Sequence, residues 1–203
     1  MSSALSPSWI TGAQNTPRRF PVREVGAAAA GLCLALSTGC GVFSPSQNGD
    51  MRTDINVTSP LMQQGEPLPE AYVCEGDPES DADGAVSPPL RWSGLPDGVG
   101  SIAVVVDDPQ EAEVFWVVFD LDPQLVELRQ NTVPADAKQA ENSAGEARYG
   151  APCPTDQDIH EYRFTVYALE GTLDLPDGAE LSRTLDAIAE QAVARGSLIA
   201  TSS

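Results

Sequence analysis

The sequence predicts a mainly β chain that ends in one α-helix, and three stretches carry the prediction. Val104–Val106 and Val114–Leu121 are unbroken apolar runs rich in Val, Phe and Trp, joined by an acidic connection. Such runs are the signature of strands buried on both faces. Tyr162–Leu169, YRFTVYAL, alternates with period two, as a strand with one buried face does. Ser182–Arg195 places Leu185, Ile188, Ala189, Ala192 and Val193 on one stripe at helical spacing. Strands and helices do not alternate in a βαβ rhythm, so the layers expected are those of a two-sheet β-sandwich with an appended helix.

The N-terminus reads as an export signal over residues 1–39. Arg18, Arg19 and Arg23 make a basic segment, Ala27–Leu36 an apolar run too short to span a bilayer, and Ser37-Thr38-Gly39-Cys40 a small-residue site. A cysteine directly after Gly39 resembles a bacterial lipobox, with Leu36 one place further from it than usual. On that reading Cys40 is lipidated and becomes the first mature residue. A plain secretory signal and an uncleaved anchor are the alternatives. Residues 40–52, with Ser, Pro, Gly and Asn and no period, read as a flexible tether, and the domain is expected over 53–203.

The chain carries −19, and removing the signal leaves eight basic and 29 acidic residues, or −21. Such a surface repels nucleic acid and anionic headgroups, so a nucleic-acid partner is excluded and membrane attachment would rest on the lipid of Cys40.

In chain order, Asp54–Ser59 alternates weakly as a first strand, and Asn56-Val57-Thr58 within it is a glycosylation sequon. Cys74–Gly84 is acidic. Glu79, Asp81, Asp83 and Gly84 fall at EF-hand spacing, but Leu90 stands where the bidentate Glu is needed, so a solvated loop is expected. Leu90–Trp92 is a short strand. Val99–Asp107 and Val114–Asp122 are the core strands. Asp107 and Asp108 are adjacent, so in a strand they point to opposite faces. Gln124–Arg148 is aperiodic and reads as a long irregular excursion. The helix over Ser182–Arg195 takes Ser182 as N-cap and Gly196 as its stop, and Leu198–Thr201 is a last strand.

Of four cysteines, Cys33 lies in the signal and Cys40 is the lipid site. For Cys74 and Cys153 in an oxidising compartment, a disulfide is the economical reading and two free buried thiols the alternative. No metal-site spacing exists, and no cofactor motif. His160 is the only histidine, no nucleophile elbow is present, and a bonded Cys153 offers no thiolate, so the chain does not read as an enzyme. For His160, a local hydrogen-bonding role and ligand binding both stand open.

The order of motifs resembles the phosphatidylethanolamine-binding proteins, in their bacterial Raf-kinase-inhibitor-like branch. The matching pieces are Ser87–Gly94 (SPPLRWSG), Asp107-Asp108-Pro109, Phe115–Val118 (FWVV), Gly150–Pro154 (GAPCP), His160–Phe164 (HEYRF), the C-terminal helix and Leu198–Thr201. They cover about residues 53–203. The resemblance implies a Greek-key arrangement of two antiparallel sheets and a small anion-binding pocket at one end. It places that pocket at Asp108, His160 and the wall Ala151–Pro154. It also marks departures: Gln110 replaces a family carboxylate, Phe115 a family histidine and Ser202 a family tyrosine. The pocket expected is therefore lined by Asp108, Gln110, Phe115, Ala151, Cys153 and His160, and is partly degenerate. The function expected is a lipid-anchored, non-catalytic binding protein for a small anionic or phospho-headgroup ligand. The alternative is an inhibitor-like protein-interaction module, with Gln124–Arg148 as its contact surface.

Overall fold

Strands rich in β-branched and aromatic residues need a partner on each apolar face, and the computed structural model shows how each face is covered. It describes residues 55–74, 86–154 and 158–202. The signal 1–39, Cys40, the tether 40–52 and acidic residues 75–84 lie outside the described residues.

The strands are β1 (Asn56–Thr58), β2 (Leu90–Ser93), β3 (Ser101–Asp108), β4 (Glu113–Leu121), β5 (Glu127–Leu128), β6 (Lys138–Gln139), β7 (Glu161–Leu169) and β8 (Ala192–Thr201), with helix α1 (Leu181–Gln191) between the last two. A 3-10 turn spans Glu70–Tyr72. They form a three-stranded sheet, β1-β2-β5, and a five-stranded sheet, β6-β4-β3-β7-β8, antiparallel throughout. The strand order is compatible with a Greek key.

The five-stranded sheet is covered on both sides, which explains the unbroken apolarity of its central strands. Val104, Val106, Trp116 and Val118 join Val57, Leu90, Trp92 and Leu128 of the small sheet in one core. Ala103, Val105, Val117 and Phe119 join Ile188 of α1 and Leu173, Leu175 and Ala179 of the preceding loop in a second. Alternate residues of one strand thus serve two cores. The excursion 124–148 is less irregular than its sequence suggests. It contains β5 and β6, and it is tied down where Trp92 Nε1 donates to Leu125 O (2.8 Å) and Trp116 Nε1 to Gln139 Oε1 (2.8 Å).

The C-terminal elements differ from expectation. The helix stops at Gln191, and β8 follows without a loop from Ala192, four residues before Gly196. The side chains of α1 that are buried are Thr184 and Ile188, whereas Ala189 is exposed and Ala192 and Val193 belong to the strand. Nor does Ser182 cap the helix: Glu180 holds the N-cap position, and Ser182 Oγ donates to its side chain. The physical reason is the free edge of β7, which residues 192–201 pair with in nine register positions. That pairing outweighs the helical preference of Ala-Val-Ala-Arg. The period-two signal was present in Ala194, Gly196, Leu198 and Ala200, all buried, but three of them are too small for it to stand out.

Gly196 is therefore a packing residue. A Cβ built on it would lie 1.7 Å from the Ile55 carbonyl oxygen, where the chain entering β1 crosses β8. Because backbone must move on one side or the other, Gly196→Ala is expected to destabilise the protein by about 3 kcal/mol in denaturant unfolding. The exposed neighbour change Arg195→Ala should stay within about 0.5 kcal/mol. Equal midpoints for G196A and the unaltered chain would show that this crossing is not close-packed.

Candidate binding site

The β3–β4 hairpin ends the central strands with carboxylates, and the ladder sends two of them to opposite faces. Asp107 pairs in register with Arg163 of β7 and forms a two-point ion pair with its guanidinium. That hydrogen-bonded contact, and then the charge of Asp107, raises the Arg163 pKa. Asp108 points the other way and is 2% exposed.

A carboxylate stripped of water needs partners, and Asp108 has three. Its Oδ1 accepts the backbone N–H groups of Gln110 (2.8 Å) and Glu111 (3.3 Å), which folds the hairpin turn around it. Its Oδ2 lies 2.7 Å from His160 Nδ1. His160 is itself buried and stands just before β7. Its main chain is clamped to the C-terminus: its N–H donates to Ser202 Oγ (2.9 Å) and its carbonyl accepts the Ser202 N–H (3.0 Å). The ring lies parallel to that of Tyr162, with an interplanar angle of 9°. Gln110 is not turned toward a ligand here. Its Oε1 accepts the Glu161 N–H (2.9 Å), joining the hairpin to the start of β7.

Phe115 occupies a β-bulge. Val106 pairs with Trp116 and Asp107 with Val114, so Phe115 is the extra residue on β4. Bulges re-aim side chains and release backbone groups from the ladder. The released Phe115 carbonyl accepts the Gly150 N–H (2.9 Å) and the Asn142 side-chain amide (3.4 Å). Its ring meets Tyr162 edge-on at 5.8 Å. The bulge thereby attaches the 150–154 segment to the hairpin.

That segment is held from its other side as well. Cys153 is disulfide-bonded to Cys74, and Cys74 N–H donates to Pro152 O (3.1 Å). Tyr149 O–H donates to Tyr72 O (2.9 Å). Ala151 packs on the main core. The structure brings Asp108, Gln110 and His160 into one hydrogen-bonded cluster, and Phe115 joins that cluster to the strut running through Gly150 to Cys153.

Sequence reading missed the buried hub of this strut, Asn142. Its amide donates to Phe115 O and Arg148 O, and its Oδ1 accepts the N–H groups of Ala144 and Glu146. An asparagine in an aperiodic polar stretch carries no signal of burial. Glu113, paired in register with Asp108, was missed too. Partial burial, then Asp108 and Glu111, push its carboxyl pKa up, and His160 opposes them. The hairpin end is thus rich in negative charge. Among the described residues no group of three or more side chains is arranged to hold a metal.

Comparison with known proteins agrees with this architecture. A family model described as phosphatidylethanolamine-binding protein matches residues 58–203. A Mycobacterium tuberculosis protein designated as a lipoprotein, LppC, is 34% identical over 151 residues, covering 72% of this chain and 71% of its own. A UPF0098 protein of Methanothermobacter thermautotrophicus is 32% identical over 140 residues, covering 65% of this chain and 87% of its own. Among solved structures, a Chlamydia trachomatis homologue of these binding proteins superposes with a TM-score of 0.64 at 31% identity, covering 74% of this chain and 98% of that one. YbcL of E. coli gives 0.66 at 26% identity over the same shares.

Two outcomes follow from the site's construction. Asp108→Ala removes the acceptor of two backbone N–H groups and of His160, and is expected to cost about 3 kcal/mol in chemical unfolding. A loss below about 1 kcal/mol would mean that water replaces the carboxylate. Burial, followed by Tyr72 and Tyr162, raises the Tyr149 phenol well above its usual range. Its stabilisation is complete below the unfolded phenol pKa of about 10 and declines as pH rises above it. Tyr149→Phe should therefore flatten the alkaline loss of stability by about 1.4 kcal/mol per pH unit. Identical slopes would show that Tyr149 ionises in the folded protein.

Proposed function

Because the chain belongs to the phosphatidylethanolamine-binding protein family, we propose that it is an exported, lipid-anchored binding protein. Its site at the Asp108–His160 end of the sandwich takes a small anionic or phospho-headgroup ligand and does not transform it. The observation that carries the reading is the buried His160–Asp108 contact. The carboxylate and the Tyr162 ring fix the imidazole before any ligand arrives, so little ordering cost falls on binding. The Ala151–Cys153 wall, tied to Phe115 and to Cys74, supplies a second rigid side. Cys153, which a thiol–imidazole pair would require, is bonded to Cys74 and offers no thiolate.

Affinity in this reading is weak. Phe115 supplies no charge where the family resemblance places a histidine, and Glu111 and Glu113 repel an anion. Export and anchoring rest on the signal-like residues 1–39 and Cys40, and are supported by the lipoprotein designation of LppC. Among the described residues no helix is long and apolar enough to cross a membrane. A second reading, a protein-interaction module, is favoured by Ile159, which is 71% exposed beside His160, and by Val126 in the 124–148 segment, which is 62% exposed.

Titration with phosphoethanolamine, followed through the His160 imidazole resonances, tests the pocket. Millimolar binding is expected, strengthened about tenfold in Phe115→His by one added charge-assisted hydrogen bond. Silent His160 resonances in both proteins at about 10 mM ligand would leave the interaction module as the better reading. Capture of an envelope protein by the unaltered chain, lost on Ile159→Asp, would then support it.

A further inference from the structure

The oxygen end of the Gln110 side chain is committed to the protein and meets no ligand, whereas the nitrogen end is uncommitted. Gln110 Oε1 accepts the Glu161 N–H at 2.9 Å. A backbone N–H can only donate, so the atom facing it must be an acceptor, and the two ends of the carboxamide are thereby told apart. Nε2 carries two N–H donors. Among the described residues no side-chain hydrogen bond uses them.

A closed circuit of contacts sets the place of that nitrogen. Asp108 Oδ1 accepts the Gln110 main-chain N–H (2.8 Å), and Asp108 Oδ2 lies 2.7 Å from His160 Nδ1. The His160 main chain leads directly to the Glu161 N–H, which returns to Gln110 Oε1. Nε2 shares a carbon with Oε1, so it stays beside the His160–Glu161 peptide. Asp108 and His160 are buried and Gln110 is exposed, so the carboxamide stands at the solvent rim of the same cluster. The tie to Glu161 does not by itself call for an amide. A glutamate has the same shape, and its carboxylate would accept the Glu161 N–H at least as well. The amide changes the second atom: a neutral donor stands where a carboxylate would put a charged acceptor. It does so at a hairpin end that already holds Asp108, Glu111 and Glu113.

We propose, on the reading of the Asp108–His160 end as an anion site, that Gln110 sets its ligand class. Gln110 Nε2 donates to an oxygen of the bound anion, so that the site selects an acceptor-only head, a phosphate monoester. Residue 110 then offers no counter-charge to a ligand ammonium. A phosphate oxygen accepts the amide N–H in a charge-assisted hydrogen bond. An ammonium is itself only a donor and would face the amide N–H groups without gaining a partner from them. The Glu161 contact holds the carboxamide in place beforehand, so the donor is ordered before the ligand arrives.

The test uses the full isotopically labelled chain, with methyl phosphate and phosphoethanolamine as probes. The Gln110 side-chain amide resonances are assigned by their absence from the spectrum of Gln110→Glu. With methyl phosphate they are expected to shift and to saturate at the same concentration as the His160 ring resonances. This readout is taken on the unaltered chain, and a residue that only holds the hairpin to β7 would not give it. Gln110→Glu keeps an oxygen for the Glu161 N–H. It should weaken methyl phosphate at least about tenfold, the loss of one hydrogen bond to a charged group. It should weaken phosphoethanolamine only about threefold, because the new carboxylate pairs with the ammonium. Gln110 amide resonances that stay still while His160 saturates would overturn the assignment and leave the anion site standing. Equal weakening of both probes would also overturn it, since the substitution would then have disturbed the site and not its choice of ligand. No response from either group at about 10 mM methyl phosphate would overturn both the anion site and the role of Gln110 in it.

Discussion

A carboxyl group at the end of a central strand, 2% exposed, loses the hydration that would stabilise it and must recover it from the protein. Asp108 does so by drawing three donors from two distant parts of the chain. Two are the N–H groups of its own hairpin, and the third is His160, 52 residues away. The contact fixes the hairpin turn, the entry to β7 and the position of the imidazole at once. Ser202 then clamps the His160 main chain, so the C-terminus is fastened to the same cluster.

The opposite orientation of Asp107 is as consequential. One residue of offset sends its charge to Arg163 on the other face of the sheet, where it stabilises a cross-strand pair. Adjacent acids in sequence therefore do unrelated work, since side chains alternate across a strand. The bulge at Phe115 has a comparable effect. It removes one carbonyl from the ladder, and that carbonyl then holds Gly150 and Asn142. The irregularity in the strand is what attaches the wall bearing Ala151 and Cys153 to the rest of the site.

Much of this was legible in the residues. The both-sided burial of β3 and β4, the alternation of β7 and the opposed faces of Asp107 and Asp108 follow from apolar runs and period two alone. The pairing of Cys74 with Cys153 followed from compartment and count. The candidate site was legible through the order of short motifs, which placed Asp108 and His160 together. Gln110 was legible as a departure from the family but not as the acceptor of the Glu161 N–H. A glutamine next to a turn has many reachable partners, and only the register of β7 against β3 decides among them.

By itself the sequence determined which segments are apolar enough to form the sheets, the sign of the surface charge, and which residues have the chemistry to line a site. Tertiary structure decided what local pattern left open. Residues 192–195 continue a helical stripe, yet they extend β8 because β7 offers an unpaired edge and its hydrogen bonds outweigh helix propensity. Gly196 reads locally as a helix stop, but its missing side chain is required by the Ile55 carbonyl that crosses it. Asn142 reads as solvated polar chain and is instead buried among four hydrogen bonds. In each case the deciding partner lies far away in sequence, and no local period can encode where it will arrive.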